Sequence, residues 1–307
     1  CIRDRHGTSN IAVRTCLTRL GYDLVPVLAQ CAPDPDFSNT KSPNPEVPAS
    51  YELAIKKAKE VDADVVVITD PDGDRLGVVA KHNGEYVLMS GNQSAAVYLE
   101  YILSQMKEKG TLPDNAVMYN TIVTSDLGEL VARSYGVDVE KTLTGFKFIG
   151  DKIRKYEQTH EKTFVFGYEE SYGCVIKDFV RDKDAVQAVL TAAEAGNFYK
   201  KQGKDLVDVL NELYAKHGTF KETQIALSKA GAAGAARIKE IMDNLRKDAP
   251  QDIGGVKVVK VEDYGNSTCS DGTTIQLPKS NVLKYYLEDG SWIAARPSGT
   301  EPKCKFY

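Results

Sequence analysis

The chain has 307 residues, roughly two or three domains at about 150 residues each. With 42% hydrophobic and 27% charged residues, 24 glycines and 12 prolines, its composition excludes disordered and collagen-like classes. A formal net charge of -4 leaves no global basic field to hold nucleic acid or an anionic membrane, so any anionic ligand needs a local site.

No apolar stretch approaches the ~20 residues of a membrane span, and no charged-then-apolar leader opens the chain. Cys1, Cys16, Cys31, Cys174, Cys269 and Cys304 are too scattered for a zinc site and too sparse for a disulfide scaffold, which fits thiols in a reducing cytoplasm. The chain opens on Cys1 instead of Met and stops at Tyr307 inside an alternating run. It reads as an excised piece of a longer protein.

In chain order, Tyr22 to Leu28 predicts a short strand, and a loop follows with prolines at Pro33, Pro35, Pro43 and Pro45, where no helix persists. A helix with apolar residues at Leu53, Ile55, Ala58 and Val61 leads into Val65 to Thr69, a β-branched run suited to burial on both faces of a parallel sheet. This is a βαβ pattern. Leu76 to Lys81 and Glu85 to Met89, joined by Asn83-Gly84, predict a type I′ hairpin, and Asn92 to Lys107 a helix stopped by Gly110.

A second α/β unit begins near Leu112-Pro113-Asp114. Its expected strand is Ala116 to Val123, its helix is capped by Ser125 or Asp126 and closed by Gly136, and strands follow at Val137 to Leu143 and Thr163 to Phe166. Helices at Asp184 to Lys200 and Asp205 to His217 complete it. Beyond lie a helix at Ser228 to Arg246 and strands at Val256 to Val261, Thr273 to Leu277, Val282 to Leu287 and Trp292 to Ala295. The expected fold is α/β: two similar mixed-sheet α/β domains, 1–112 and 113–218, then a small α+β C-terminal domain, 219–307, cut short at its end.

Three loops carry chemistry. In Asp70-Pro71-Asp72-Gly73-Asp74-Arg75 alternate carboxylates follow a buried strand, and their mutual repulsion is relieved by a hard cation such as Mg²⁺. The end of such a strand is also where open α/β sheets bind ligands. A calcium EF-hand loop would need Gly and Glu where this chain has Arg75 and Lys81; the plainer alternative is a solvated acidic turn. Gly167-Tyr168-Glu169-Glu170-Ser171-Tyr172-Gly173 offers carboxylates, a hydroxyl and rings suited to vicinal sugar hydroxyls, or is an ordinary polar turn. Arg296-Pro297-Ser298-Gly299-Thr300-Glu301-Pro302 pairs a guanidinium fork with hydroxyls and a glycine able to approach an anion, or is a surface loop. Nucleotide-binding glycine fingerprints are absent from the sequence.

Taken together and in this order, the three loops resemble the metal-binding, sugar-binding and phosphate-binding loops of the α-D-phosphohexomutase family. His6-Gly7-Thr8, Asp34-Pro35-Asp36-Phe37, Ser42-Pro43-Asn44-Pro45-Glu46, Thr144-Gly145-Phe146-Lys147-Phe148 and Arg181-Asp182-Lys183-Asp184 are similar to family landmarks, so the resemblance covers essentially the whole chain. The Glu-Glu-Ser-Tyr-Gly form of the second loop resembles the phosphoglucomutase branch. Mannose-tolerant and glucosamine branches end that loop in Ser-Gly-His. The family's N-terminal domain carries a phosphorylated serine in a Thr-Ala-Ser-His-Asn-Pro-like motif that nothing here matches. Ser42 lies downstream of the His6-Gly7-Thr8 landmark, so the chain resembles family domains two to four.

The resemblance implies a magnesium-dependent isomerase acting on small hexose phosphates, as a cytoplasmic monomer or dimer without nucleic-acid or membrane partners. It implies Asp70, Asp72 and Asp74 as Mg²⁺ ligands, Arg75 beside the transferred phosphoryl group, Glu169 and Ser171 on sugar hydroxyls, and Arg296, Ser298, Gly299 and Thr300 on the other phosphate. Lys147 is a candidate acid/base, if a cleft desolvates it, or a surface salt-bridging lysine. Among the histidines, only His6 is a candidate for more than a structural role. A haloacid-dehalogenase-type phosphatase is the rival enzyme, but Asp74 stands where it has Thr, and Gly150-Asp151 is followed by Lys155 where it has Asp. A sugar-phosphate-binding module without turnover is the non-enzymatic alternative.

Overall fold

The structure, a computed structural model, describes residues 2–3, 6–228, 231–298 and 302–307. Cys1, Gly299, Thr300 and Glu301 lie outside the described residues. The chain divides into two compact units, Cys1–Phe220 and Lys221–Tyr307.

The first unit opens with β1 (Ile2–Arg3), α1 (Asn10–Arg19), α2 (Glu52–Val61) and β2 (Val65–Thr69). The strand expected at Tyr22 to Leu28 is reduced to a single bridge residue, Pro26, and Leu28–Gln30 turns as a 3-10 helix. The parallel partner of β2 is β1, with Ile2 opposite Val67. On α2 the buried residues are Ala54 and Ala58, while Leu53 and Val61 are each 39% exposed. Small side chains let α2 pack close to Tyr51, Val66 and Ile68, so size outranked hydrophobicity in choosing the buried face.

β3 (Leu76–His82) and β4 (Glu85–Met89) extend the sheet in the order β1-β2-β3-β4. Because β2 lies antiparallel to β3, the sheet is mixed and not wholly parallel. Asn83 (φ 49°) and Gly84 (φ 84°) both take the left-handed conformation that a type I′ turn demands. α3 (Gly91–Glu108) follows with a Ser90–Gln93 capping box.

The second sheet contains β5 (Ala116–Thr121), β6 (Asp138–Thr142), β7 (Thr163–Tyr168) and β8 (Cys174–Val175) in the order β6-β5-β7-β8. Its helices are α4 (Leu127–Ser134) and α5 (Phe146–Thr159). The sequence pattern predicts no helix where α5 stands. α6 (Ala185–Lys200) and α7 (Leu206–His217) are capped by the side chains of Asp184 and Asp205. Both helices pack on the first sheet, α6 against β2 and β3 and α7 against β3, so Val67, Val78, Leu99, Met118, Phe166, Ala192 and Leu210 share one core.

The second unit contains β9 (Ile225–Ser228), α8 (Gly231–Lys247), β10 (Asp252–Ile253), β11 (Val256–Asp263), β12 (Thr268–Cys269), β13 (Leu283–Leu287), β14 (Trp292–Pro297) and β15 (Lys303–Phe306). Its strands run β10-β11-β13-β14-β15-β9, with β12 on β11. α8 contributes Ile238 and Met242 to a core with Leu283, Tyr285, Ala295 and Cys304. Thr273 to Leu277 forms only one bridge, Thr268 to Thr274. Asp271 ties up the Thr273 amide and hydroxyl in a side-chain turn, the local competition that disfavours a strand. Ser228 ends β9 and does not start the helix.

Candidate functional site

β2 delivers Asp70 to the floor of the first loop, fully buried. Its Oδ1 accepts the amides of Asp74 (3.1 Å) and Arg75 (2.9 Å), and its Oδ2 accepts Arg75 Nε (2.6 Å). Gly73 turns the loop at φ 75°, where a Cβ would stand 2.4 Å from Ser9 Oγ. The His6-Gly7-Thr8 stretch braces it from below: the Thr8 amide donates to the Pro71 carbonyl (2.9 Å), and a Cβ on Gly7 would lie 2.2 Å from that oxygen.

One carboxylate oxygen from each of Asp70, Asp72 and Asp74 lies within 4.8 Å of the others. Burial by itself would raise the Asp70 carboxyl, but hydrogen bonds from Arg75 outweigh it and hold it below the usual range. Burial, reinforced by the Asp70 charge, pushes Asp72 up and Asp74 up to about 6, although Lys183 opposes the rise in Asp74. Convergent oxygens that resist sharing negative charge fit a hard divalent cation.

Arg75 faces Asp70, Asp74 (3.6 Å) and Glu46 (3.7 Å), and its Nη1 donates to Asn44 Oδ1 (3.4 Å). The Ser42–Glu46 landmark is thereby drawn to the loop. The Ser42 hydroxyl accepts the Asn44 amide (3.2 Å) within its own turn.

The second loop, between β7 and β8, is joined to the first by backbone. Arg75 bridges Gly173, and the Leu76 amide donates to the Tyr172 carbonyl (2.9 Å). Glu169 is 5% exposed and its Oε1 accepts the Gly145 amide (2.6 Å), which ties the loop to the start of α5. Ser171 is half-buried. Lys147, in the first turn of α5, is exposed, with Nζ 5.1 Å from the Phe148 ring centroid.

Sequence reasoning noted Lys183 only as part of a landmark. Its Nζ lies 2.9 Å from Asp74 Oδ2 and 5.3 Å from the Phe146 ring centroid, and the Ala185 amide donates to the Gly73 carbonyl (3.0 Å). The available signal was a basic residue just ahead of a helix cap, beside a loop already singled out. His6 is buried, with Nδ1 2.7 Å from the Ala32 carbonyl and Nε2 3.8 Å from Asp34, which is a structural position.

In the second unit, half-buried Arg296 on β14 donates from Nη1 to the Tyr307 hydroxyl (2.8 Å). The Ser298 amide donates to the Lys303 carbonyl (2.7 Å). Gly299 and Thr300 of this loop fall outside the described residues.

Profiles of the phosphoglucomutase/phosphomannomutase family match in sequence order: alpha/beta/alpha domain II on residues 2–84, alpha/beta/alpha domain III on 90–217 and the C-terminal domain on 229–307. The chain belongs to the phosphoglucomutase/phosphomannomutase family. Proteins named phosphoglucomutase from Staphylococcus haemolyticus and Staphylococcus aureus are each 38% identical to it over 309 aligned residues, 98% of this chain and 55% of theirs. The chain thus spans about half the length of these curated relatives.

Among solved structures, a phosphoglucomutase/phosphomannomutase family protein from Burkholderia thailandensis shares the fold at TM-score 0.67 and 22% identity, over 99% of this chain and 55% of that one. The open form of parafusin, a phosphoglucomutase from Paramecium, does so at TM-score 0.68 and 21% identity, over 99% of this chain and 51% of that one. Among the described residues no helix is long and apolar enough to cross a membrane.

Proposed function

We propose that this chain is the metal- and sugar-binding part of a phosphoglucomutase, an isomerase of carbohydrate metabolism that interconverts glucose 1-phosphate and glucose 6-phosphate. The phosphoryl group passes through an enzyme phosphoserine and a bisphosphate intermediate, the serine coming from a segment outside these 307 residues. The domain division 1–112, 113–218 and 219–307, a cytoplasmic setting and a monomer or dimer belong to the same reading. The observation that supports it is the backbone bridge between Arg75 and Gly173, which sets a convergent carboxylate loop beside a loop that carries Glu169, Glu170, Ser171 and Tyr172.

Asp70, Asp72 and Asp74 would hold Mg²⁺, which when bound neutralises charge on the phosphoryl group. Arg75, fixed by Asp70 and Glu46, adds a guanidinium beside that charge. Glu169, anchored through Oε1 on Gly145, and Ser171 take sugar hydroxyls. Arg296, Ser298, Gly299 and Thr300 grip the phosphate that is not transferred, through a guanidinium fork and hydroxyls that fix its orientation. Lys147 is the candidate acid/base, approaching from solvent. Phosphomannomutase or phosphopentomutase chemistry is the alternative within the family. For the isolated chain, sugar-phosphate binding without turnover is the second reading, favoured by the missing serine motif.

A coupled assay with glucose 1-phosphate and added glucose 1,6-bisphosphate tests the proposal. The 307-residue chain is expected to be inactive, because a donor serine positioned over the metal contributes about 7 to 11 kcal/mol in the best cases. The full-length protein is expected to be active and to lose activity with Asp72→Ala. Metal-dependent turnover by the chain alone, abolished by Ser42→Ala, would overturn the assignment of the donor to an outside segment.

A further inference from the structure

Away from the three loops, a different set of metal-ligating side chains converges where β3 ends and α7 begins. His82, the last residue of β3, places Nδ1 2.9 Å from Asp205 Oδ2 and 3.7 Å from Asp208 Oδ1. One ligand atom from each of the three residues lies within 4.8 Å of the others. Bonds of about 2.0 to 2.1 Å to a tetrahedral zinc-class ion set ligand atoms about 3.3 Å apart, and the two separations from Nδ1 fall on either side of that spacing.

Each of these side chains is oriented through its other polar atom. Asp205 Oδ1 accepts the amides of Val207 (2.8 Å) and Asp208 (3.0 Å), and Asp208 Oδ2 accepts the Asp205 amide (2.9 Å). His82 Nε2 lies 3.0 Å from the Asn83 side-chain amide. Helix capping accounts for the inner carboxylate oxygens, but not for an imidazole nitrogen set against both outer ones. Outer hydrogen bonds that fix ligand orientation are a hallmark of metal sites.

The charge balance points the same way. Among the described residues no lysine or arginine lies within ion-pair distance of Asp205 or Asp208. Lys81 is paired with Asp62 and Lys204 with Glu212. The amide dipoles at the start of α7 offset only part of two negative charges. A neutral imidazole and two carboxylates balance one divalent ion, and the imidazole favours zinc-class ions over Mg²⁺, which prefers an all-oxygen shell. With side chains 21%, 30% and 41% exposed at His82, Asp205 and Asp208, water can reach the remaining coordination position.

We infer that His82, Asp205 and Asp208 bind a divalent transition ion of the zinc class, separate from the Asp70–Asp74 loop. The ion replaces the His82–Asp205 hydrogen bond: Nδ1 gives its lone pair to the metal, and the single ring proton resides on Nε2 beside Asn83. So placed, the metal clips the end of β3 to α7 across 123 residues of sequence.

The test is Zn²⁺ calorimetry on the 307-residue chain carrying Asp72→Ala/Asp74→Ala, which removes the first loop's carboxylates. This background is expected to bind Zn²⁺, and adding His82→Gln or Asp208→Asn is expected to weaken that binding at least tenfold. Asparagine keeps an oxygen for the helix cap, and any zinc taken up by thiols is common to all forms. If the background variant does not fold, the same comparison is made in the parent chain, where His82→Gln should remove one zinc equivalent. Zinc binding unchanged by His82→Gln, or no zinc binding in any form, would overturn the inference while leaving the functional reading untouched. Mg²⁺ bound as tightly as Zn²⁺ and insensitive to His82→Gln would reduce the site to a pair of carboxylates and refute it.

Discussion

Asp70 and Arg75 hold each other at both ends: the Arg75 amide reaches Asp70 Oδ1 at 2.9 Å and its Nε reaches Oδ2 at 2.6 Å. The carboxylate is fully buried, whereas the Arg75 side chain is 28% exposed. This pair sets the loop's shape before any cation arrives, and leaves Asp72 and Asp74 the more adaptable carboxylates.

Asp70→Asn is expected to destabilise the chain by about 2 to 3 kcal/mol in urea unfolding. That lies below the value for breaking a wholly buried pair, because solvent screens Arg75. A midpoint unchanged from the parent would show that the loop does not depend on this pair.

Mg²⁺ is expected to bind the chain weakly, with its affinity lost in the Asp72→Ala/Asp74→Ala double variant. Both carboxyls are pushed up, so binding should also release protons. Calorimetry in two buffers of different ionisation enthalpy reads both effects. Equal affinity in parent and double variant would remove the metal assignment.

In the full-length protein, Glu169→Ala and Ser171→Ala are each expected to weaken hexose phosphates by about 0.5 to 3 kcal/mol while leaving inorganic phosphate unaffected. Arg296→Lys should impair every phosphosugar regardless of the sugar, since it keeps the charge and loses the fork. Titrations with glucose 1-phosphate, mannose 1-phosphate and inorganic phosphate separate these patterns; equal losses for all three from Glu169→Ala would make the second loop structural.

Glu140 supplies a pH signature away from the site. Burial alone would raise its carboxyl, but hydrogen bonds from Lys152, Tyr156 and Lys162 bring it down to about 2. A depressed folded-state value contributes stability above the ordinary value of 4.5, and that stability is lost as pH falls toward about 2. With an allowance for solvent screening, Glu140→Gln should cost about 1 to 2 kcal/mol at pH 7 and progressively less below pH 4.5. A cost independent of pH would contradict this account.

Local chemistry wrote much of the molecule into the sequence. Asn83-Gly84 takes its turn because both residues tolerate positive φ. Asp184 and Asp205 cap their helices through their own carboxylates, and Asp70, Asp72 and Asp74 converge because Gly73 turns the chain between them. These outcomes depend on a few consecutive residues.

What depended on distant partners was not legible. β9 is exposed along its whole length and, among the described residues, joins the sheet through β15, so it carries no burial pattern, and the choice of Ala54 and Ala58 over Leu53 and Val61 was made by the surface α2 meets. The clearest case is Lys183, one lysine among many in sequence, placed on Asp74 across 109 residues because α6 folds back over the first sheet. Sequence determined which groups form the loops; tertiary packing decided which of them meet, because contacts between distant segments are set by how whole helices and sheets bury their faces.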